Sequence, residues 1–222
     1  MKFRNVRGFI FDLDGTLIDS LHIWSAIDER YLERHGYTVP DDIADSIEGM
    51  SLPEAAVYFK DRFKISDSVE TIAEEWRQMA IESYTHEIQP AKGAQRLLDH
   101  LYNIGYTLTL GSSNSRSLVD PLFQRLNWHR YFSHILFAEE VVEGKSSPKL
   151  FLELAHRMSI HPEAIVVVED SPAGLLAARS AGMRAIAVKR AAFFTDWAYM
   201  VKHSDIAVES LDCLFPTTSW IA

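Results

Sequence analysis

The chain has 222 residues, 47% of them hydrophobic and 24% charged, enough for one good-sized core or for one core and a small second domain. A formal net charge of −9, with no basic run or stripe, excludes nucleic acid and anionic membranes as main partners. Cys213 stands alone, so no internal disulfide forms and a reducing, cytoplasmic setting is expected, while the apolar run behind Lys2, Arg4 and Arg7 is cut by Asp12 and Asp14 and is too short for a signal peptide or a membrane span.

In chain order, a first strand is predicted over Arg7–Leu13, nearly continuous in apolar residues. From Asp19 to His86 the pattern is helical only. Leu21–His35 puts Ile23, Ile27 and Tyr31 on one face and stops at Gly36, Pro40–Glu48 and Pro53–Phe63 each begin with proline, and Val69–Tyr84 carries Ile72, Trp76, Met79 and Ala80 at helical spacing. Strands and helices then alternate: helix Ala94–Ile104 stopped by Gly105, strand Tyr106–Leu110, helix Ser115–Leu126, strand His134–Phe137, helix Pro148–Met158, strand Ala164–Val168, helix Ala173–Ala181 stopped by Gly182, and strands Ala185–Val188 and Ile206–Val208. Strands without polar alternation are those buried on both faces, so the fold expected is α/β, a doubly wound parallel sheet. Residues 19–87 are expected to form an inserted helical domain, and 1–18 with 88–222 the core around the sheet. Trp24, Trp76 and Trp128 fall in helical patterns and are expected in the core.

Ligands in open α/β sheets bind beyond the C-terminal ends of the strands. The first strand delivers Asp12-Leu13-Asp14-Gly15-Thr16 there, the second Gly111-Ser112-Ser113-Asn114, the loop after the third Gly144-Lys145, and the fourth Glu169-Asp170-Ser171. Each piece has an ordinary reading by itself: an Asp-Gly turn, a helix N-cap, a solvated lysine, a capping pair. Together at four strand ends, the carboxylates, the lysine and the helix-start amides suit a divalent cation and a phosphate held together. Asp12 then reads as a nucleophile and Asp14 as an acid or base reaching the same space, with Gly15 letting the chain turn away. A carboxylate attacks an anionic phosphoryl group only when charge is offset, which Mg²⁺ and Lys145 would supply. No histidine spacing suggests another metal, and no Gly-x-Ser-x-Gly elbow suggests a serine hydrolase.

The stretches DLDGTLIDS, LGSSNS, EGKSSPKLF and VVVEDSPAGLLAARSAGM resemble, in order, the four motifs of the haloacid dehalogenase-like hydrolase superfamily, in its phosphatase and β-phosphoglucomutase-like branch with a helical cap. The resemblance spans essentially the whole chain. It implies that Asp12 is the nucleophile of a phosphoaspartyl intermediate and Asp14 the general acid and base. It places the phosphate on Ser112, Ser113, Asn114 and Lys145, and Mg²⁺ on Asp12, the Asp14 carbonyl, Asp170 and Glu169, the last as ligand or as partner to one. One departure concerns the lysine motif, where Ser146 replaces the usual proline and Lys149 an aspartate. Lys145 keeps the expected spacing from Tyr131-Phe132.

The function expected is a Mg²⁺-dependent phosphatase of a small phosphorylated metabolite, a sugar phosphate or similar. Two rivals are a β-phosphoglucomutase-type mutase and a non-catalytic scaffold on the same fold. Asp14 argues against the dehalogenase branch, which lacks it, and against the phosphonate hydrolases, which carry alanine there. Against a mutase stands Leu52: in GMSLPEA it follows Gly49-Met50-Ser51, where the mutase type carries a phosphate-binding arginine. Arg62, Arg77 or Lys92 are the cations that could substitute.

Overall fold

A computed structural model of the chain describes residues 3–47, 50, 52–141, 145–189 and 197–214. Strand β1 (Gly8–Phe11) is followed by helices α1 (Leu21–Arg34), α2 (Ile43–Ile47), α3 (Leu52–Phe63) and α4 (Val69–His86). Then come α5 (Ala94–Asn103), β2 (Thr107–Ser112), α6 (Arg116–Leu126), β3 (Phe132–Phe137), α7 (Pro148–Met158), β4 (Ile165–Glu169), α8 (Pro172–Ser180), β5 (Arg184–Val188), α9 (Trp197–His203) and β6 (Ile206–Val208). The chain divides into two compact units, Met1–Asp19 with Ile88–Ala222, and Ser20–Glu87.

In the first unit six parallel strands form one sheet in the order β3-β2-β1-β4-β5-β6, with helices on both sides. Burial explains the apolar runs. β1 and β4 are buried along their whole length, and β1 sits between two neighbours, with Phe11 opposite Leu110 on β2 and Val168 on β4. Strand order reverses at β1 and β4, and the connecting helices therefore diverge there, leaving a crevice at the strand ends. Helix ends follow local chemistry. Gly105 and Gly182 take φ of +90° and +78°, where a Cβ would be strained, and so stop α5 and α8. Ser147 and Ser171 cap α7 and α8 through their hydroxyls, each followed by proline. The segments at the two chain connections bond to each other, Ala91 N to Leu17 O at 2.8 Å and Asp19 N to Gln89 O at 3.2 Å.

The second unit is helical, and its core is aromatic. The Trp76 ring meets Phe59 at 4.7 Å and Tyr31 at 5.4 Å, both edge to face, with Ile72 and Tyr84 buried beside them. Asp28 lies on α1 at only 9% exposure, and burial pushes its carboxyl up to about 7. The native state therefore holds a proton that the unfolded chain releases near pH 4, so stability is lost as pH rises from about 4 to about 7. Asp28→Asn removes that penalty. It is expected to stabilise the protein at pH 8, by on the order of a few kcal/mol, and to change little at pH 4. Thermal unfolding of both proteins at the two pH values checks this; an equal shift at both would contradict it.

Several sequence expectations need correction. α2 is shorter than predicted: Pro40 initiates a turn whose carbonyl accepts from Ile43 N, and the helix begins only there. Trp128 is buried but lies after α6, which ends as Asn127 turns to φ +55°. Its indole N–H donates to Gln95 Oε1 at 2.7 Å. Trp24 is only half-buried. α9 was not predicted, and only Met200 of its seven residues is buried.

Candidate active site

β1 ends at Phe11, and Asp12 N still bonds to Val168 O at 3.0 Å, so Asp12 is placed by the sheet itself. The chain then turns sharply. Leu13 O accepts from Thr16, Leu17 and Ile18 N, Gly15 adopts φ +82°, and its N–H donates to Ile18 O at 2.9 Å. Asp14 stands, half-buried, on this turn. β2 ends in Ser112, which is fully buried; its Oγ accepts from Asn114 N at 3.0 Å. Ser113 is exposed.

Asp12, Glu169 and Asp170 are all buried, at 5%, 1% and 2% exposure, with carboxylate oxygens within 4.8 Å of one another. Lys145 Nζ pairs with Asp12 Oδ1 and lies 2.8 Å from Glu169 Oε2. The other Glu169 oxygen accepts from Ser171 N at 3.1 Å and from Ser171 Oγ at 2.7 Å. Gly174 makes room for it, since a Cβ there would stand 2.4 Å from the Glu169 carboxyl. Lys149, by contrast, is exposed, and its main-chain N–H donates to Ser147 Oγ.

The electrostatics follow from this burial. Burial pushes the Asp12 carboxyl up to about 7, with Lys145 pulling it down and the Glu169 and Asp14 charges adding to the rise. Burial opposes the Lys145 ammonium, but Asp12 and Glu169 outweigh it and hold its pKa above the ordinary lysine range. Asp12 and Glu169 thus share the Lys145 ammonium, with the Asp170 carboxyl buried beside them. Asp12 Oδ2, buried, has no hydrogen-bond partner. An orphaned carboxylate oxygen inside an all-oxygen cluster is what a hard divalent cation needs, so these residues fit such an ion.

The structure thus brings Asp12, Lys145, Glu169 and Asp170 into one cluster, with Ser112 and Asn114 at the end of the neighbouring strand and Asp14 joined to Asn114 by a hydrogen bond of 2.6 Å. Gly144, Gly49 and Ser51 lie outside the described residues. Leu52 is the first residue of α3 and half-buried, and the three substitute cations pair with carboxylates: Arg62 with Asp42 at 2.7 Å, Arg77 with Glu74, and Lys92 with Asp212 at 3.7 Å. Gly174 was not singled out from the sequence, and Ser171 was named only as part of the fourth strand end. The signal for Gly174 was the run Ser-Pro-Ala-Gly, a capping serine with a glycine inside the helix it caps, directly behind two acids.

The model of the haloacid dehalogenase-like hydrolase family matches residues 9–188, from β1 through β5. A probable pseudouridine-5'-phosphatase of Drosophila melanogaster is 31% identical over 191 residues, covering 83% of this chain and 82% of that protein. Hexitol phosphatase A of Escherichia coli is 33% identical over 184 residues, 82% of each chain. Among solved structures, a putative β-phosphoglucomutase from Thermotoga maritima matches with a TM-score of 0.81 at 24% identity, over 94% of this chain and 97% of that one, and so shares the fold. With the family model spanning every strand that carries the acidic cluster, the chain belongs to the haloacid dehalogenase-like hydrolase family.

Proposed function

We propose that this protein is a Mg²⁺-dependent phosphatase that hydrolyses a small phosphate monoester, a sugar phosphate or similar metabolite, by double displacement through Asp12. The observation that carries the reading is the Asp12 carboxylate: buried at a strand end, held by Lys145 through one oxygen, with the other oxygen unpartnered beside Glu169 and Asp170. The relatives named as phosphatases support the reaction class. The lone cysteine and the acidic surface fit a cytoplasmic setting.

Asp12, Asp170 and the Asp14 carbonyl would hold Mg²⁺, with Glu169 as a further ligand or as the brace of Lys145. Bound there, Mg²⁺ would neutralise phosphoryl charge as a Lewis acid. The chain's own residues do the rest. An Asp12 oxygen bonds to phosphorus as the ester P–O bond breaks, and Asp14 gives its proton to the departing oxygen. Asp14, now a carboxylate, takes a proton from water while the water oxygen attacks phosphorus and the bond to Asp12 breaks, releasing inorganic phosphate. Lys145 offsets the negative charge that gathers between Asp12 and the phosphoryl oxygens, and the Ser112 hydroxyl, with Ser113 beside it, donates to those oxygens. The helical unit Ser20–Glu87 is assigned as the cap that selects the substrate. Leu52, being apolar, cannot pair with a second phosphate, which favours hydrolysis over mutase chemistry.

The test is phosphate release from a panel of sugar phosphates, polyol phosphates and 5'-nucleotides. Release should need Mg²⁺, stop in excess chelator, return little with Ca²⁺, and require no bisphosphate activator. Efficient interconversion of glucose 1- and 6-phosphates with little phosphate released would replace the phosphatase reading by the mutase. Full activity in excess chelator would remove the metal from it.

A further inference from the structure

Asn114 reads from the sequence as one of the phosphate donors, yet its side-chain amide donates to Asp14. Its Nδ2 donates to Asp14 Oδ2 at 2.6 Å, joining residues 100 positions apart in the chain. Both ends of this contact are fixed. Asn114 N is held by Ser112 Oγ at 3.0 Å at the end of β2. The Asp14 main chain is held by the turn in which Leu13 O takes three amides and Gly15 N bonds to Ile18 O. With the backbone set on each side, the amide holds the Asp14 carboxyl by its Oδ2.

An amide N–H can only donate, so it binds a carboxyl oxygen that offers a lone pair. Oδ2 of Asp14 is that oxygen. The oxygen without a proton is the better acceptor, so this bond favours the proton that Asp14 is to deliver on Oδ1, and the carboxyl cannot rotate to exchange the two without breaking the bond. We infer that Asn114 is a positioning residue for Asp14: it selects Oδ1 as the oxygen that gives the proton to the leaving group and later takes one from water, and its side chain is not a phosphate ligand. The inference rests on the reading of Asp14 as the general acid and base.

Two esters of similar size separate the roles. The 4-nitrophenolate of 4-nitrophenyl phosphate leaves with little help, while the alkoxide of benzyl phosphate needs a proton. Asn114→Asp keeps the shape of the side chain and replaces the donor by an acceptor; Asn114→Ala removes it; Asn114→His restores an N–H, through Nδ1, near the original place. Both Asn114→Asp and Asn114→Ala should lower kcat on benzyl phosphate by roughly 30-fold or more and on 4-nitrophenyl phosphate by less than about 5-fold. KM and the calorimetric affinity for inorganic phosphate should stay within about 3-fold, and Asn114→His should recover part of the loss on benzyl phosphate alone.

Equal losses on both esters overturn the inference, with weakened phosphate binding returning Asn114 to the phosphate ligands. No loss on either ester overturns it as well. Asp14→Asn, measured on the same pair, keeps the two readings apart. If it too lacks the leaving-group dependence, the reading of Asp14 fails; if it shows the dependence and the Asn114 variants do not, only the role of Asn114 fails.

Discussion

Asp12→Asn is expected to lower turnover by a factor of at least ~10³ while leaving the fold intact. The amide has the size of the carboxyl, so packing at the end of β1 is kept, but it is a poor nucleophile and a weak ligand. Removing a buried carboxyl that already resists ionisation relieves its repulsion with Glu169. The metal-free variant should therefore melt no lower than the native protein, and the rise in melting temperature on adding Mg²⁺ should shrink. Steady-state turnover with saturating Mg²⁺ and a thermal melt with and without the ion check both halves. More than a tenth of the native activity would sink covalent catalysis through Asp12.

Lys145→Met should cost ~10²–10⁴ in turnover and, unlike the first variant, stability as well. The ammonium bridges Asp12 and Glu169 with its side chain only 10% exposed. Without it three buried carboxylates face one another, and breaking a buried pair by removing one partner typically costs about 3–5 kcal/mol. Mg²⁺ should restore much of that stability and little of the activity. Lys145→Arg should not rescue turnover, since a planar fork cannot occupy the place of a compact point charge between two fixed carboxylates. Denaturant unfolding and phosphate release on the three proteins decide it, and an active Lys145→Met would remove the lysine from the mechanism.

The sheet was legible because its strands are buried on both faces, which leaves little room for polar alternation. β1 and β4 read as apolar runs for that reason, and Gly105 and Gly182 marked helix ends because the backbone there needs positive φ. α9 was not legible: a short helix with one buried residue carries no period. Trp128 was misplaced because its burial comes from the turn at Asn127 and a hydrogen bond to Gln95, neither visible as spacing. At the site, residue types at strand ends announced a charged crevice. How the acids divide the work was not readable, because it depends on contacts between distant segments. Glu169 splits its oxygens between Lys145 and Ser171, and it fits there only because Gly174 lacks a side chain. Asn114 donates from its side-chain amide to Asp14, a contact that no local pattern encodes. The helical unit, proposed as the cap, offers an aromatic core and a buried Asp28 but no recognisable substrate code.

The central claim is that the phosphoryl group passes through Asp12. The direct measurement is to quench the enzyme in acid during turnover of a monoester with Mg²⁺, reduce the trapped acyl phosphate with borohydride, and map the peptides by mass spectrometry. The account predicts homoserine at position 12, formed only when substrate is present. Unmodified aspartate at position 12 during full turnover, or reduction at another carboxylate, would contradict it.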